Sequence, residues 1–262
     1  MKNTQYLFID GGCLRSICER VSRDYFDNVK ISLNYRSIGR GFLKSFYYDC
    51  LPPKKRNQSD EDYHLSRQER LQEFDEICKI DGFHVSEGFS RHRRKIVEQK
   101  AVDISIAVDM LTHTFMRNME KATLLTSDLD FLPLVNALVN QGMYIKLWYH
   151  QGHTNNDLIN AVDAHEPITA LDIYSWSNLS FQNSHGLPYS WKSLEKETEG
   201  LNKEADFPTE SDDEVELYKS DGDKYTMIFK SNGVFQYFRY SDLEVLKKFS
   251  SEICYTSKVA WE

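Results

Sequence analysis

Three groups of carboxylates punctuate this sequence in a fixed order. An aspartate ends the apolar run Tyr6-Leu7-Phe8-Ile9-Asp10 and precedes Gly11-Gly12; Gln99-Lys100-Ala101-Val102-Asp103 opens a helical pattern; Thr126-Ser127-Asp128-Leu129-Asp130-Phe131 closes a further apolar run. In an open parallel sheet, side chains at the carboxyl ends of strands project into a shared crevice, so aspartates distant in sequence can meet there. Carboxylates held close together repel one another unless one takes up a proton or a cation neutralises the site. Oxygen donors suit Mg²⁺ or Mn²⁺. Such an ion polarises a phosphoryl oxygen and activates a bound water, which is the chemistry of phosphodiester hydrolysis. Each aspartate alone has plainer work available: Asp10 can start a turn, Asp103 can complement a helix N-terminus, and Asp128 or Asp130 can cap the helix at Phe131.

The elements that must position these residues are legible as strands alternating with helices. Tyr6–Ile9, Phe42–Tyr48, Leu124–Thr126 and Met143–Trp148 read as strands. Helical spacing recurs in Leu71, Phe74 and Cys78, in Ile104, Ala107, Val108, Leu111 and Phe115, and in Leu134, Val135, Leu138 and Val139. Pro133 suits the first turn of that last helix and Gly142 the position past its end. Alternation of this kind predicts a mostly parallel sheet covered on both faces.

The net charge of −8 is concentrated. Residues 195–216 contain ten acids and two bases, leaving 30 acids against 30 bases elsewhere. That stretch, poor in apolar residues, reads as a mobile acidic connector. Beyond it, Lys224–Lys230 and Val234–Tyr240 flank Ser231-Asn232-Gly233 as a hairpin. Ser241-Asp242-Leu243-Glu244 then reads as a capping box opening a helix. The expected organisation is a main domain over 1–175, an acidic linker over 176–222 and a small hairpin-plus-helix appendage over 223–262, a surface for a protein partner or a second copy. Five cysteines without a C-x-x-C spacing point to neither a disulfide framework nor a zinc site. His150 and His153 form the one close histidine pair, and zinc needs three or four converging ligands. With no long apolar run and no secretory pattern in residues 1–10, a soluble cytoplasmic protein is expected.

The motifs resemble those of the NYN domain, a branch of the PIN-like metal-dependent ribonucleases. The matching stretches are Phe8-Ile9-Asp10-Gly11-Gly12, Tyr47-Tyr48-Asp49 before Leu51-Pro52-Pro53, Gly82-Phe83-His84-Val85, Gln99 to Asp103 with Ala107-Val108-Asp109, and Thr126 to Phe131 with Pro133-Leu134-Val135. The resemblance implies an α/β PIN-like three-layer fold and a metal-dependent endoribonuclease. It implies that Asp10, Asp103, Asp128 and Asp130 form the catalytic, Mg²⁺- or Mn²⁺-binding set, with Thr126 and Ser127 shaping the pocket. Asp109 also matches a recurrent family aspartate, but six residues at about 100° each turn it away from Asp103, which assigns it a structural or outer role. Cys13 stands where family members often carry Asn, and it is a poorer hydrogen-bond donor.

A polyanionic substrate calls for positive charge, and Arg91, Arg93, Arg94 and Lys95, with Lys100 and the neighbouring Phe89, supply the best candidate surface for RNA; Lys54-Lys55-Arg56 is a second. Position 12 is Gly, which argues against a haloacid-dehalogenase-like phosphatase, and neither a Walker loop nor a G-x-G-x-x-G fingerprint is present. The rival expectation is a catalytically weak or inactive RNA-binding or partner-binding module on the same fold. Attack by a metal-activated water predicts 5′-phosphate and 3′-hydroxyl ends, whereas attack by the 2′-hydroxyl would give a cyclic phosphate.

Overall fold

The computed structural model describes residues 4–54, 57–88, 91–93, 96–98, 100–211, 213–220 and 224–261, with 91–93, 96–98, 100 and 101 described by their backbone alone. The chain divides into two compact units: Met1–Arg20, Ser32–Ile168 and Ser175–Asn178 form one, and Val21–Ile31, Thr169–Tyr174 and Leu179–Glu262 the other.

In chain order the first elements are β1 (Gln5–Asp10), α1 (Gly11–Tyr25), α2 (Tyr35–Ile38), β2 (Lys44–Cys50), α3 (Asp60–Cys78) and β3 (Phe83–Gly88). A short hairpin of β4 (Arg91–Arg93) and β5 (Ile96–Glu98) leads into α4 (Lys100–Phe115), followed by β6 (Lys121–Leu125), α5 (Leu132–Asn140), β7 (Tyr144–His150), α6 (Asn156–Asn160) and β8 (Ala164–Ile168). Six strands make a parallel sheet in the order β3-β2-β1-β6-β7-β8. From β1 the chain walks outward through β2 and β3, then returns to lay β6 on the other side of β1. The strand order therefore reverses between β1 and β6, the position where open α/β sheets form their ligand crevice.

Alternation along β1 divides the core. Tyr6 and Phe8 lie on one face with Val102, Ile106 and Met110 of α4 and Leu134, Val135 and Leu138 of α5. Leu7 and Ile9 point to the other face, as does Tyr47, which is paired in register with Ile9 and meets Phe74 of α3 edge-on at 6.2 Å. Phe8, Ile9 and Tyr47 are fully buried, and burial of such a side chain contributes about 1.5–3 kcal/mol. The α1 helix begins with two glycines despite their poor helix propensity. A Cβ at Gly11 would come within 2.7 Å of Tyr47 Oη and 2.9 Å of Asp49 Cβ, so the turn carrying Asp10 into α1 can pack this closely only without a side chain.

The second unit differs from expectation. After α7 (Ala170–Trp176) and α8 (Leu179–Ser184) come β9 (Tyr189–Ser193), β10 (Leu201–Phe207), β11 (Glu214–Ser220), β12 (Lys224–Ser231), β13 (Val234–Tyr240) and α9 (Leu243–Ile253). The strands form an antiparallel sheet in the order β10-β11-β12-β13-β9. The acidic stretch expected as a mobile linker thus carries two strands, and the expected small appendage is part of a five-stranded sheet. The physical reason is a period-two pattern beneath the charge. Val215 and Leu217 are buried, while Glu216 is paired with Lys196 (2.5 Å) and Lys203 (2.7 Å) and Glu214 with Lys230 (2.6 Å). The β12–β13 hairpin turns at Asn232 and Gly233, both at positive φ (51° and 77°), as the Asn-Gly signal predicts. The α9 helix is capped by Asp242, whose Oδ1 accepts from the amides of Glu244 (2.9 Å) and Val245 (3.0 Å); the cap lies one residue later than the Ser241 box expected from sequence. Phe249 of α9 packs edge-on against Phe238 at 5.9 Å. On the opposite sheet face Trp191 stacks on Tyr237 at 4.6 Å.

Candidate functional site

The end of β1 and the loop after β6 meet at the switch point. Asp10 is fixed from both sides: its Oδ1 accepts from the Cys13 amide (3.1 Å) and its Oδ2 from the Thr126 hydroxyl (3.0 Å). Thr126 is fully buried, and its Oγ1 also accepts from the Asp128 amide (3.3 Å), so one hydroxyl ties the two aspartate loops together. Asp128 accepts from the Asp130 amide (2.9 Å), capping the single 3₁₀ turn Leu129–Phe131. Ser127 Oγ accepts from the His150 amide at the end of β7 (2.9 Å) and from the Cys13 thiol (3.3 Å).

Asp10, Asp103, Ser127 and Asp128 line a common cavity of about 280 Å³. Asp103 reaches it from the first turn of α4. Burial is the largest influence on Asp103 and, with the negative charges of Asp10, Asp128 and Asp130, pushes its pKa up to about 6. Burial also raises Asp10, opposed by the hydrogen bonds from Cys13, Thr126 and Gly12. Burial above all pushes the Cys13 thiol up to about 12, so at neutral pH it is a protonated donor to Ser127, not a thiolate.

Asp130 is exposed and outside the cavity lining, although its charge is felt by Asp103. Asp109 also lies off the lining and accepts from Tyr48 Oη (2.8 Å). Of the basic residues, Arg94 and Lys95 lie outside the described residues, as do Phe89, Lys55 and Arg56. Arg91 and Arg93 sit on β4, paired with β5, and Lys100 begins α4. Lys54 is occupied by Asp60 (2.5 Å).

Sequence reasoning did not place Asp49, or the noted pair His150 and His153, in this site, yet all three lie on the cavity wall. Asp49 is the penultimate residue of β2, beside β1, so the strand-end argument that selected Asp10 applied to it as well. It is 2% exposed and accepts from Arg70 (2.9 Å), Tyr47 Oη (3.1 Å), the Cys50 amide (2.7 Å) and Arg15.

Among the described residues, no three acidic, histidine or cysteine side chains form a ready-made metal cluster. The donor chemistry of the cavity nevertheless fits a hard divalent cation: Asp10, Asp103 and Asp128 present oxygens, and such a cation would offset the burial, and with it the mutual repulsion, that raises Asp103.

The raised pKa of Asp103 bears on stability. Because the folded pKa of Asp103 (about 6) exceeds the ordinary 3.8, the native state retains a proton that the unfolded chain has lost. Its contribution is therefore fully present below about pH 4 and is lost as pH rises through 6. A fully buried group so shifted would contribute about 3 kcal/mol; solvent screening of this half-exposed one leaves about 1 kcal/mol. Denaturant melts in EDTA between pH 4 and 7 should show this decline, and Asp103→Asn should flatten it. An unchanged slope in the variant would refute the assignment.

No curated protein matches the sequence. Among the solved structures that are similar are two at low identity. A protein of unknown function from Vibrio parahaemolyticus is 14% identical with a TM-score of 0.47, over 68% of this chain and 97% of that one. A dehydrogenase from Clostridium difficile is 9% identical with a TM-score of 0.27, over 91% of this chain and 78% of that one. The family model of the NYN domain matches residues 5–169, the span that holds the parallel sheet and the aspartate cavity. The chain accordingly belongs to the NYN domain family and has its PIN-like nuclease fold.

Proposed function

We propose that this chain is a metal-dependent endoribonuclease that hydrolyses RNA phosphodiester bonds and leaves 5′-phosphate and 3′-hydroxyl ends. The observation that carries this reading is the convergence of Asp10, Asp103 and Asp128 on one cavity at the strand-order reversal. These three, with Asp130 alongside, would hold Mg²⁺ or Mn²⁺. When bound, the ion supplies Lewis-acid polarisation of the phosphoryl group and an activated water. The protein's own part is orientation: Thr126 and the Cys13 amide hold the Asp10 carboxylate, and the cap bond to the Asp130 amide holds Asp128. Arg91, Arg93, Arg94, Lys95 and Lys100 would meet the RNA backbone by their charge. No helix among the described residues is long and apolar enough to cross a membrane, which is compatible with a cytoplasmic site of action.

The test is incubation of the purified chain with end-labelled single-stranded and structured RNA in EDTA, Mg²⁺ or Mn²⁺, followed by analysis of the product ends. Cleavage that needs the metal and leaves 5′-phosphates is expected; cyclic phosphate ends would overturn the mechanism. The Cys13 thiol, bonded to Ser127 where family members often carry Asn, favours a second reading, a binding module without catalysis. That reading predicts RNA retention with no metal-dependent cleavage.

A further inference from the structure

The cavity is anionic: Asp10, Asp103 and Asp128 line it, while Asp49 on the same wall is paired with Arg15 and Arg70. A phosphodiester brings another negative charge, so its oxygens need donors on the wall. Among the described lining side chains, His150 and His153 alone can carry positive charge. Either protonation state of an imidazole also offers at least one N–H.

Their placement is well determined. The β7 strand is the sheet neighbour of β6, and the Thr126 amide donates to the Trp148 carbonyl (3.1 Å) just before the His150 amide donates to Ser127 Oγ (2.9 Å). The end of β7 is thereby bound to the loop carrying Asp128. The His150 carbonyl then accepts from the His153 amide (3.1 Å) and the Thr154 hydroxyl (3.0 Å), which closes the turn. His150 is 4% exposed, and its ring lies 4.2 Å from that of the exposed His153, at 34°. The buried ring is a fixed wall against which the accessible ring rests.

The geometry points to His153 as a phosphate-contacting residue, donating a ring N–H to a non-bridging oxygen of a phosphodiester in the aspartate cavity. This inference rests on the nucleic-acid reading above, but it concerns binding and not bond cleavage. It commits the ligand class to an anionic phosphodiester.

The test uses the 262-residue chain carrying Asp128→Asn, which lowers the wall's negative charge and is expected to suppress turnover. Its affinity for a fluorescent decauridylate, and for the same oligonucleotide with neutral methylphosphonate linkages, is measured by anisotropy in EDTA. Addition of His153→Ala should weaken binding of the phosphodiester about tenfold, the scale of one hydrogen bond to a charged group. It should leave methylphosphonate binding unchanged, and His153→Gln, which keeps an N–H, should recover most of the loss. Equal losses on both probes would mean a merely structural role; no loss on the phosphodiester, or no binding by the parent, would overturn the contact. Cleavage by the wild-type chain without any His153 dependence of binding would sink this inference alone. His153-dependent binding without wild-type cleavage would sink the nuclease reading alone.

Discussion

Asp128→Asn is expected to reduce metal-dependent RNA cleavage by about a thousandfold, equivalent to about 4 kcal/mol of lost transition-state stabilisation. The substitution is a clean probe because the two duties of the residue separate. As a cap, the side chain accepts from the Asp130 amide (2.9 Å), and an asparagine carbonyl can do the same. As a proposed metal ligand, it contributes a negative charge that asparagine lacks. Cleavage under single-turnover conditions and a denaturant melt on the same preparation make the check. A folded variant retaining cleavage within tenfold of wild type would remove Asp128 from the catalytic set.

Asp49→Ala should be the most destabilising single change at the site, by about 3–5 kcal/mol. Asp49 is 2% exposed and receives both Arg15 and Arg70, the latter also paired with Glu73 (3.0 Å). Its removal leaves two guanidinium groups facing a methyl group and takes one hydrogen bond each from the Tyr47 hydroxyl and the Cys50 amide. Against a typical total of about 5–15 kcal/mol, that loss is large. Urea unfolding followed by circular dichroism measures it. Asp49→Asn, which keeps acceptor capacity on one oxygen, should cost less, and a midpoint for Asp49→Ala within the error of wild type would show that the ion pairs contribute nothing net.

Much of this was written in the sequence, and the parts that were not have identifiable causes. The motifs ending β1 and following β6 stood out because an aspartate at the end of an apolar run breaks a visible pattern, and topology then brought them together. The α1 helix was hidden by Gly11 and Gly12, both poor helix formers, of which Gly11 is demanded by the approach of Tyr47. Asp49 was quoted within a motif yet not placed in the site, although it follows the run Phe42–Tyr48 as Asp10 follows Tyr6–Ile9. In the second unit, the count of acids obscured the alternation Glu214-Val215-Glu216-Leu217. The lysines that neutralise those acids come from Lys196, Lys203 and Lys230, on other strands or loops, a pairing that linear order does not reveal. His150 and His153 were noticed as a pair, but only the parallel register of β6 and β7 places them beside Asp128.

The position of the acidic stretch has one more consequence. With the order β10-β11-β12-β13-β9, β10 has a neighbour on one side alone among the described residues, and a border strand with open backbone groups invites a second chain to extend the sheet. Here that border reads Leu201-Asn202-Lys203-Glu204-Ala205-Asp206-Phe207, with charged side chains at three of its seven positions and an irregular register between Lys203 and Ala205. Another copy arriving along this border would bring like charges together and meet a kinked partner. The acidity that looked like a flexible tether thus acts as a guard against self-assembly, and neutralising Glu204 and Asp206 should lower the concentration at which the protein stays in solution.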